Sequence, residues 1–191
     1  TTDKCYDNKE WIYGYREIDP LGGKDPYSAS KACSELITAS YNNSFFSKNN
    51  NTNLASSRAG NIIGGGDWSE NRIVPDCIKF ILSNKDIVLR NPSSVIPWQY
   101  VLEPLYGYLL LGSLLYTEGQ KYASAWNFGP NQKKLFSVEE LVKEFISNWG
   151  NGSYIIEEDL SKKTLESGIL YLDIAKALNI NNQIINPQNI E

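Results

Sequence analysis

The sequence predicts an α/β chain, and three observations carry that reading. Short strand-like segments alternate with longer segments of helical character along the chain. Thr1-Thr2-Asp3-Lys4, the first residues with evident chemistry, read as a strand end running into a loop broken by Gly14, Pro20, Gly22 and Gly23. Open α/β sheets keep their chemistry at the carboxyl ends of strands. Asp25-Pro26 then gives a helix start, with Asp25 able to cap and Pro26 suited to the first turn.

The elements follow in order. Apolar residues recur through Ala32, Leu36, Ala39 and Phe46, so the helix is expected to run to about Ser47. An Asn-rich turn over Asn49 to Asn53 leads to a strand at Leu54 to Arg58 that rejoins the sheet, and Gly64-Gly65-Gly66 falls in a loop. Pro75 to Leu82 reads as a helix, Ile87 to Leu89 as a short strand, Pro104 to Tyr116 as an apolar helix and Ala125 to Phe128 as a strand. Ser137 with Glu139-Glu140 starts a helix to about Trp149. Tyr154 to Ile156 reads as a strand and Leu172 to Leu178 as a last short helix before a polar, Asn-rich tail. No internal repeat is evident.

Tyr27 and Lys31 lie four residues apart, which puts both side chains on one helix face in adjacent turns. A phenol with an ordinary pKa of about 10 is a poor base at neutral pH, and a nearby ammonium and a helix N-terminus both favour the phenolate. The pair fits proton transfer. Spacing alone also suits two surface neighbours, and Asp3 and Lys4 alone read equally as loop charges. Adjacent strand residues point to opposite faces, so Asp3 and Lys4 can meet one ligand only if the strand has already ended.

Composition narrows the choices. A chain of 191 residues holds one domain with a good core, or one lobe plus part of another. The formal charge of -4, with no basic run, argues against nucleic-acid binding and against a membrane surface. No apolar stretch spans a bilayer and nothing at the start resembles a signal peptide. Cys5, Cys33 and Cys77 are scattered and odd in number, which fits neither a disulfide framework nor a zinc ribbon and suits a reducing cytoplasm. With no histidine, Ser-His-Asp hydrolysis and histidine-ligated zinc are excluded, and the base must be Tyr, Lys or a carboxylate.

Five segments carry a family resemblance: Thr1 to Asn8, Asp25 to Lys31, Arg58 to Trp68, Pro97 to Leu105 and Trp126 to Pro130. In these the chain resembles the extended short-chain dehydrogenases/reductases, and among them the CDP-glucose 4,6-dehydratases. Relatives acting on dTDP-glucose carry Asp-Glu where this chain has Asp3-Lys4. The resemblance implies the C-terminal part of a Rossmann-type doubly wound sheet plus a smaller α+β substrate-binding lobe. It implies NAD as cofactor, CDP-glucose as substrate, and conversion to a 4-keto-6-deoxy sugar by oxidation, dehydration and reduction. Under it Tyr27 takes the C4 hydroxyl proton, Thr2 hydrogen-bonds that hydroxyl and Lys31 holds the ribose. Asp3 protonates the departing C6 hydroxyl, and Lys4 stands where relatives keep the C5 base. Asn61, Arg72, Arg90 and Asn127 are the implied substrate contacts.

Residues 1–60 are expected to form an incomplete dinucleotide-binding domain, and residues 61–191 mainly the substrate lobe, with some segments returning to the sheet. No Gly-x-Gly-x-x-Gly run occurs among the glycines, no βαβ unit precedes Tyr27, and methionine is absent. These features suggest a piece of a longer protein, inactive by itself. Relatives pair through the Tyr27 helix, which implies a homo-oligomer and an exposed apolar face over residues 32–46. The family has an arginine where this chain has Ile96. Other nucleotide-sugar epimerases or dehydratases, or a non-catalytic module for binding or oligomerisation, are the alternatives.

Overall fold

The computed structural model describes residues 1–47, 52–130, 136–157 and 169–184. Most of the Asn49–Asn53 turn and the end of the polar tail lie outside the described residues.

Helix α1 (Pro26–Tyr41) starts as its sequence dictates. The Asp25 carboxylate accepts from the Ser28 backbone N–H at 3.0 Å and from the Ser28 hydroxyl at 2.6 Å, with Pro26 in the first turn. A π-helical turn over Asn42–Phe46 carries the path to Ser47. Ala32 and Glu35 face inward, while Leu36, Ile37, Tyr41 and Phe45 are exposed.

Strands β1 (Ser56–Ala59) and β2 (Ile62–Ile63) precede α2 (Ile73–Leu82) and β3 (Ile87–Leu89). Then come β4 (Val95–Ile96), β5 (Gln99–Tyr100), α3 (Leu102–Glu118) and β6 (Ala125–Phe128). Strand β7 (Phe136–Ser137), α4 (Val138–Trp149), β8 (Tyr154–Ile156) and α5 (Ala175–Ile184) complete the order. The strands pair as β1–β6, β2–β5 and β3–β8, all parallel, and β4–β7, antiparallel. Thr2 adds a parallel bridge to Ala59, so the chain start lies beside β1 and opposite β6.

Local chemistry explains the boundaries. Helix α4 has a full capping box: the Ser137 hydroxyl accepts from the Glu140 N–H, and the Glu140 carboxylate accepts from the Ser137 N–H. It ends at Gly150 with φ +90°, a left-handed position that favours glycine. Helix α3 packs so closely on β6 at Gly107 that a Cβ there would lie 2.4 Å from the Phe128 ring. The last helix starts at Ala175 rather than Leu172, because Leu172 bridges Tyr15 and the Asp173 carboxylate accepts from the Ala175 N–H at 2.8 Å.

Three apolar clusters share no residue. Cys5, Tyr6, Tyr15, Leu170 and Leu172 form the first. Cys77, Ile81, Ile87, Leu89 and Val142 join α2, β3 and α4 in the second. Leu111, Leu114, Tyr122 and Trp126 join α3 to β6 in the third. A buried polar network lies between the first and third. Glu35 of α1 pairs with Arg58 of β1 at 2.7 Å, both side chains under 5 % exposed. Arg58 also donates to the Tyr6 hydroxyl at 2.7 Å, and that hydroxyl donates to the Asn127 side-chain oxygen at 2.8 Å. Burial pushes the Glu35 carboxyl up, but hydrogen bonds from Arg58, Thr1 and Ser56 outweigh it and hold the group below the ordinary range. Removing one partner of such a pair strands the other charge. Glu35→Ala is therefore expected to destabilise the chain by about 3–5 kcal/mol in urea unfolding, and the Glu35→Leu/Arg58→Met double variant by less than the sum of its singles.

Candidate active site

Parallel pairing stops at Thr2, and the backbone turns at once into a 3₁₀ turn over Asp3–Cys5. The Thr2 hydroxyl caps that turn by accepting from the Lys4 N–H at 3.3 Å, and it donates to Asp3 Oδ1 at 2.8 Å. The strand has thus ended before Asp3, which is the condition for Asp3 and Lys4 to reach one cleft. Asp3 is 2 % exposed and its Oδ2 is buried with no hydrogen-bond partner. That oxygen faces Gly60, where a Cβ would sit 3.3 Å away. Burial pushes the Asp3 carboxyl above the ordinary carboxylate range, against the Lys4 charge and the Thr2 hydrogen bond. Behind it Cys5 is fully buried, and burial pushes its thiol up to about 12, so it stays protonated near neutral pH.

A cleft of about 1120 Å³ opens in front of this turn. Thr2, Asp3, Lys4 and Tyr27 stand in its wall together with Asn61, Arg72 and Arg90. Its size suits a large polar ligand. Gly60 to Trp68 supplies one wall and the start of α2 another. Arg72 occupies the N-cap position of α2 with an exposed side chain, and the Arg90 guanidinium lies 3.4 Å from the Asn71 side-chain oxygen. Ile96 lines this cleft and also a side pocket of about 160 Å³, which it shares with Lys4, Asn61 and Arg72 but not Arg90. Trp98 is a half-buried wall residue.

Tyr27 is 55 % exposed at the start of α1, and the Lys31 ammonium lies 5.3 Å from its ring centre. Asn127 is not a cleft residue, contrary to the sequence expectation. It is fully buried; its amide donates to the Tyr15 and Asp173 carbonyls at 2.7 and 3.1 Å and its oxygen accepts from Tyr6. Both amide hydrogens and an oxygen lone pair are thereby used within the fold, which leaves little for a phosphate. Sequence reasoning missed Glu35, which falls on the Tyr27–Lys31 face at a further spacing of four and ties that face to β1. The signal was present, since Lys31 and Glu35 are the two charged residues of α1. Among the described residues no group of three or more His, Cys, Asp or Glu could hold a metal ion, and no helix is long and apolar enough to cross a membrane.

The Asp3 environment has a thermodynamic signature. A carboxyl whose folded pKa is raised binds its proton more tightly in the native state, so its contribution favours the fold at low pH and is lost as pH rises through the folded value. Asp3→Asn removes the buried charge and keeps the shape. It is expected to raise stability in urea unfolding at pH 7, with the gain vanishing toward pH 3; a variant less stable at both pH values would contradict this environment.

Comparison with known proteins places these observations. No protein-family model matches the chain. It is 46% identical over 182 residues to CDP-glucose 4,6-dehydratase of Salmonella typhimurium, a match covering 93% of this chain and 50% of the relative. Among solved structures, dTDP-glucose 4,6-dehydratase of Bacillus anthracis in complex with NAD matches with a TM-score of 0.72 and 19% identity, over 94% of this chain and 53% of that one. UDP-glucuronic acid 4-epimerase of Bacillus cereus in complex with NAD and UDP-glucuronic acid matches with a TM-score of 0.76 and 16% identity, over 94% and 52%. At those identities the structural matches speak for the fold, and the chain spans about half the length of each protein named. By sequence along nearly its whole length, and by its share of a Rossmann-type fold, the chain is a relative of CDP-glucose 4,6-dehydratase among the nucleotide-sugar dehydratases and epimerases.

Proposed function

We propose that this chain supplies the acid–base residues and much of the sugar cleft of an NAD-dependent CDP-glucose 4,6-dehydratase. The observation that carries the reading is Asp3: a carboxyl group almost wholly buried in the cleft wall, with one oxygen unpartnered and its proton affinity raised by burial. A residue that must deliver a proton at neutral pH needs this environment. The 46% identity to CDP-glucose 4,6-dehydratase supports CDP-glucose as the substrate.

Residues 1–60 act in this reading as the incomplete dinucleotide-binding part, and residues 61–191 mainly as the substrate lobe. Tyr27 and Lys31 fit the nicotinamide and ribose end of NAD, one exposed at the cleft and the other a helical turn behind it. Among the described residues no glycine turn joins a strand directly to a helix N-terminus, so the pyrophosphate cradle is not among them. NAD, when bound, would supply a reversible hydride acceptor for the sugar, with Tyr27 and Lys31 as the residues that would hold its nicotinamide and ribose end. The Tyr27 phenol takes the C4 hydroxyl proton, held for it by Thr2. Asp3 then gives its proton to the C6 hydroxyl as that group leaves, while Lys4 stands to take the proton from C5. Asn61 contacts the sugar-phosphate. Arg72 and Arg90 offer guanidinium groups to the diphosphate. Arg72 is the better replacement for the charge absent at Ile96, because it shares the side pocket with that residue.

Product analysis with CDP-glucose and NAD tests the reading in the protein that carries this chain. A 4-keto-6-deoxy product is expected, and Asp3→Asn and Tyr27→Phe should each cut its rate by about 10²–10⁴-fold. An epimerised sugar that has lost no water would refute the dehydratase assignment. A non-catalytic module would give no product and no NAD binding.

The exposed Leu36, Ile37, Tyr41 and Phe45 form a contiguous apolar stretch on α1 and the turn after it. We propose that it is covered by a second copy in a homo-oligomer. Ile37→Lys and Phe45→Lys together should lower the sedimentation coefficient to that of a monomer; an already monodisperse monomer in the unmodified protein contradicts the proposal.

A further inference from the structure

Thr2 has a second relationship that the reaction outlined above does not use. Its hydroxyl carries one hydrogen, and in the structure that hydrogen goes to Asp3 Oδ1 at 2.8 Å, not into the cleft. The oxygen is fixed by the Lys4 N–H, and Thr2 is the one side-chain donor to Asp3 among the described residues, since Asp3 Oδ2 has no partner. Yet Thr2, Asp3 and Tyr27 all stand in the same cleft wall. A single hydrogen therefore has two competing acceptors, Asp3 and any sugar oxygen that settles between Thr2 and Tyr27.

We propose that Thr2 couples the two halves of the reaction: its hydroxyl hydrogen passes from Asp3 Oδ1 to the sugar C4 oxygen as that oxygen loses its proton to Tyr27, and the freed Asp3 becomes the acid for the C6 hydroxyl. The inference rests on the reading of Asp3 as the acid and Tyr27 as the base. Its physics is that of a buried carboxylate losing a donor. A hydrogen bond to the charged form stabilises it, so withdrawing that bond favours protonation. Burial already acts in the same direction, with the Thr2 bond opposing it.

The other charges around Asp3 are few. Lys4 lies on the same turn and favours the carboxylate. Cys5, the next group inward, feels Asp3 together with Arg58, Glu35 and the amino terminus, and it stays a thiol near neutral pH. Gly60, which lies beside Asp3 Oδ2, carries no charge. The proton balance closes. Asp3 takes up a proton from solvent, matched by the C4 proton that Tyr27 releases to solvent, and gives it to the C6 oxygen as the C6–O bond breaks. The C5 proton leaves to the base, the sugar loses one water, and Asp3 returns as a carboxylate able to hold the Thr2 hydrogen again. The acid is thus armed only after a hexose has engaged the base.

The test follows the ¹³C carboxyl resonance of Asp3, assigned by its loss in Asp3→Asn, against pH in the 191-residue chain. Thr2→Val should raise the titration midpoint, and Thr2→Ser, which keeps a hydroxyl, should leave it in place. An unchanged midpoint in a folded Thr2→Val chain overturns the proposal. A second measurement needs no substitution. In the NAD-loaded protein that carries the chain, CDP-glucose should raise the Asp3 midpoint, whereas CDP, which has no hexose, should not; equal midpoints with the two ligands overturn it. Failure of the underlying reading looks different: an Asp3→Asn protein that still forms the 4-keto-6-deoxy sugar removes Asp3 as the acid, whatever Thr2 does to its titration.

Discussion

The buried pair of Glu35 and Arg58 is the interaction on which the placement of everything else depends. It reaches from the middle of α1 to β1, and β1 is the strand that Thr2 meets at Ala59. Tyr27 and Asp3 come from segments separated by a long loop, and α1 packs directly against the turn over Asp3–Cys5. Glu35 reinforces that packing, because the Thr1 hydroxyl, the Ser56 hydroxyl and Arg58 all donate to its carboxylate. Arg58 extends the clamp to Tyr6, and Tyr6 to Asn127, so the segment that follows the Asp3–Cys5 turn and β6 are fixed by the same set of groups. A buried pair of this kind adds little net stability over a well-packed apolar alternative. It fixes one arrangement, because an apolar contact tolerates sliding, whereas the Arg58 guanidinium holds the Glu35 carboxylate with one nitrogen and the Tyr6 hydroxyl with another.

Much of this was legible in the sequence, for identifiable reasons. Strands β3, β6 and β8 and helix α4 fall where the residue pattern puts them, because each is bounded by its own turn or capping signal. The two-residue strands β2, β4, β5 and β7 escaped notice, since two residues carry no periodicity and pair only through tertiary contacts. At the site, Thr2, Asp3, Lys4 and Tyr27 share one cleft wall, a grouping that the family resemblance implied and that local spacing alone left open. Asn127 was misjudged for the opposite reason. Its role is set by Tyr6, Tyr15 and Asp173, which are remote in sequence, and nothing near position 127 announces them. Glu35 was overlooked because an acid on a helix reads as surface until its partner strand is known.

Asp3 carries a cost to folding that the native state retains. A carboxyl with an unpartnered buried oxygen is unfavourable for the native state, and the fold retains it beside Gly60, where a larger residue would press on that oxygen. Sites that carry such costs are where a physical reading expects chemistry rather than packing to have set the sequence.

The three separate apolar clusters have a mechanical meaning. The first and third are joined by the charged and amide groups around Arg58, and so behave as one block. The second, built from α2, β3 and α4, shares no core residue with that block, yet the start of α2 and the end of β3 form a wall of the cleft. The width of the cleft is then governed by backbone connections and by whatever spans the gap. A ligand that touches Asp3 on one side and Arg72 on the other would add a beam across a joint that the pairing of Val95 with Ser137 and Ile169 already ties.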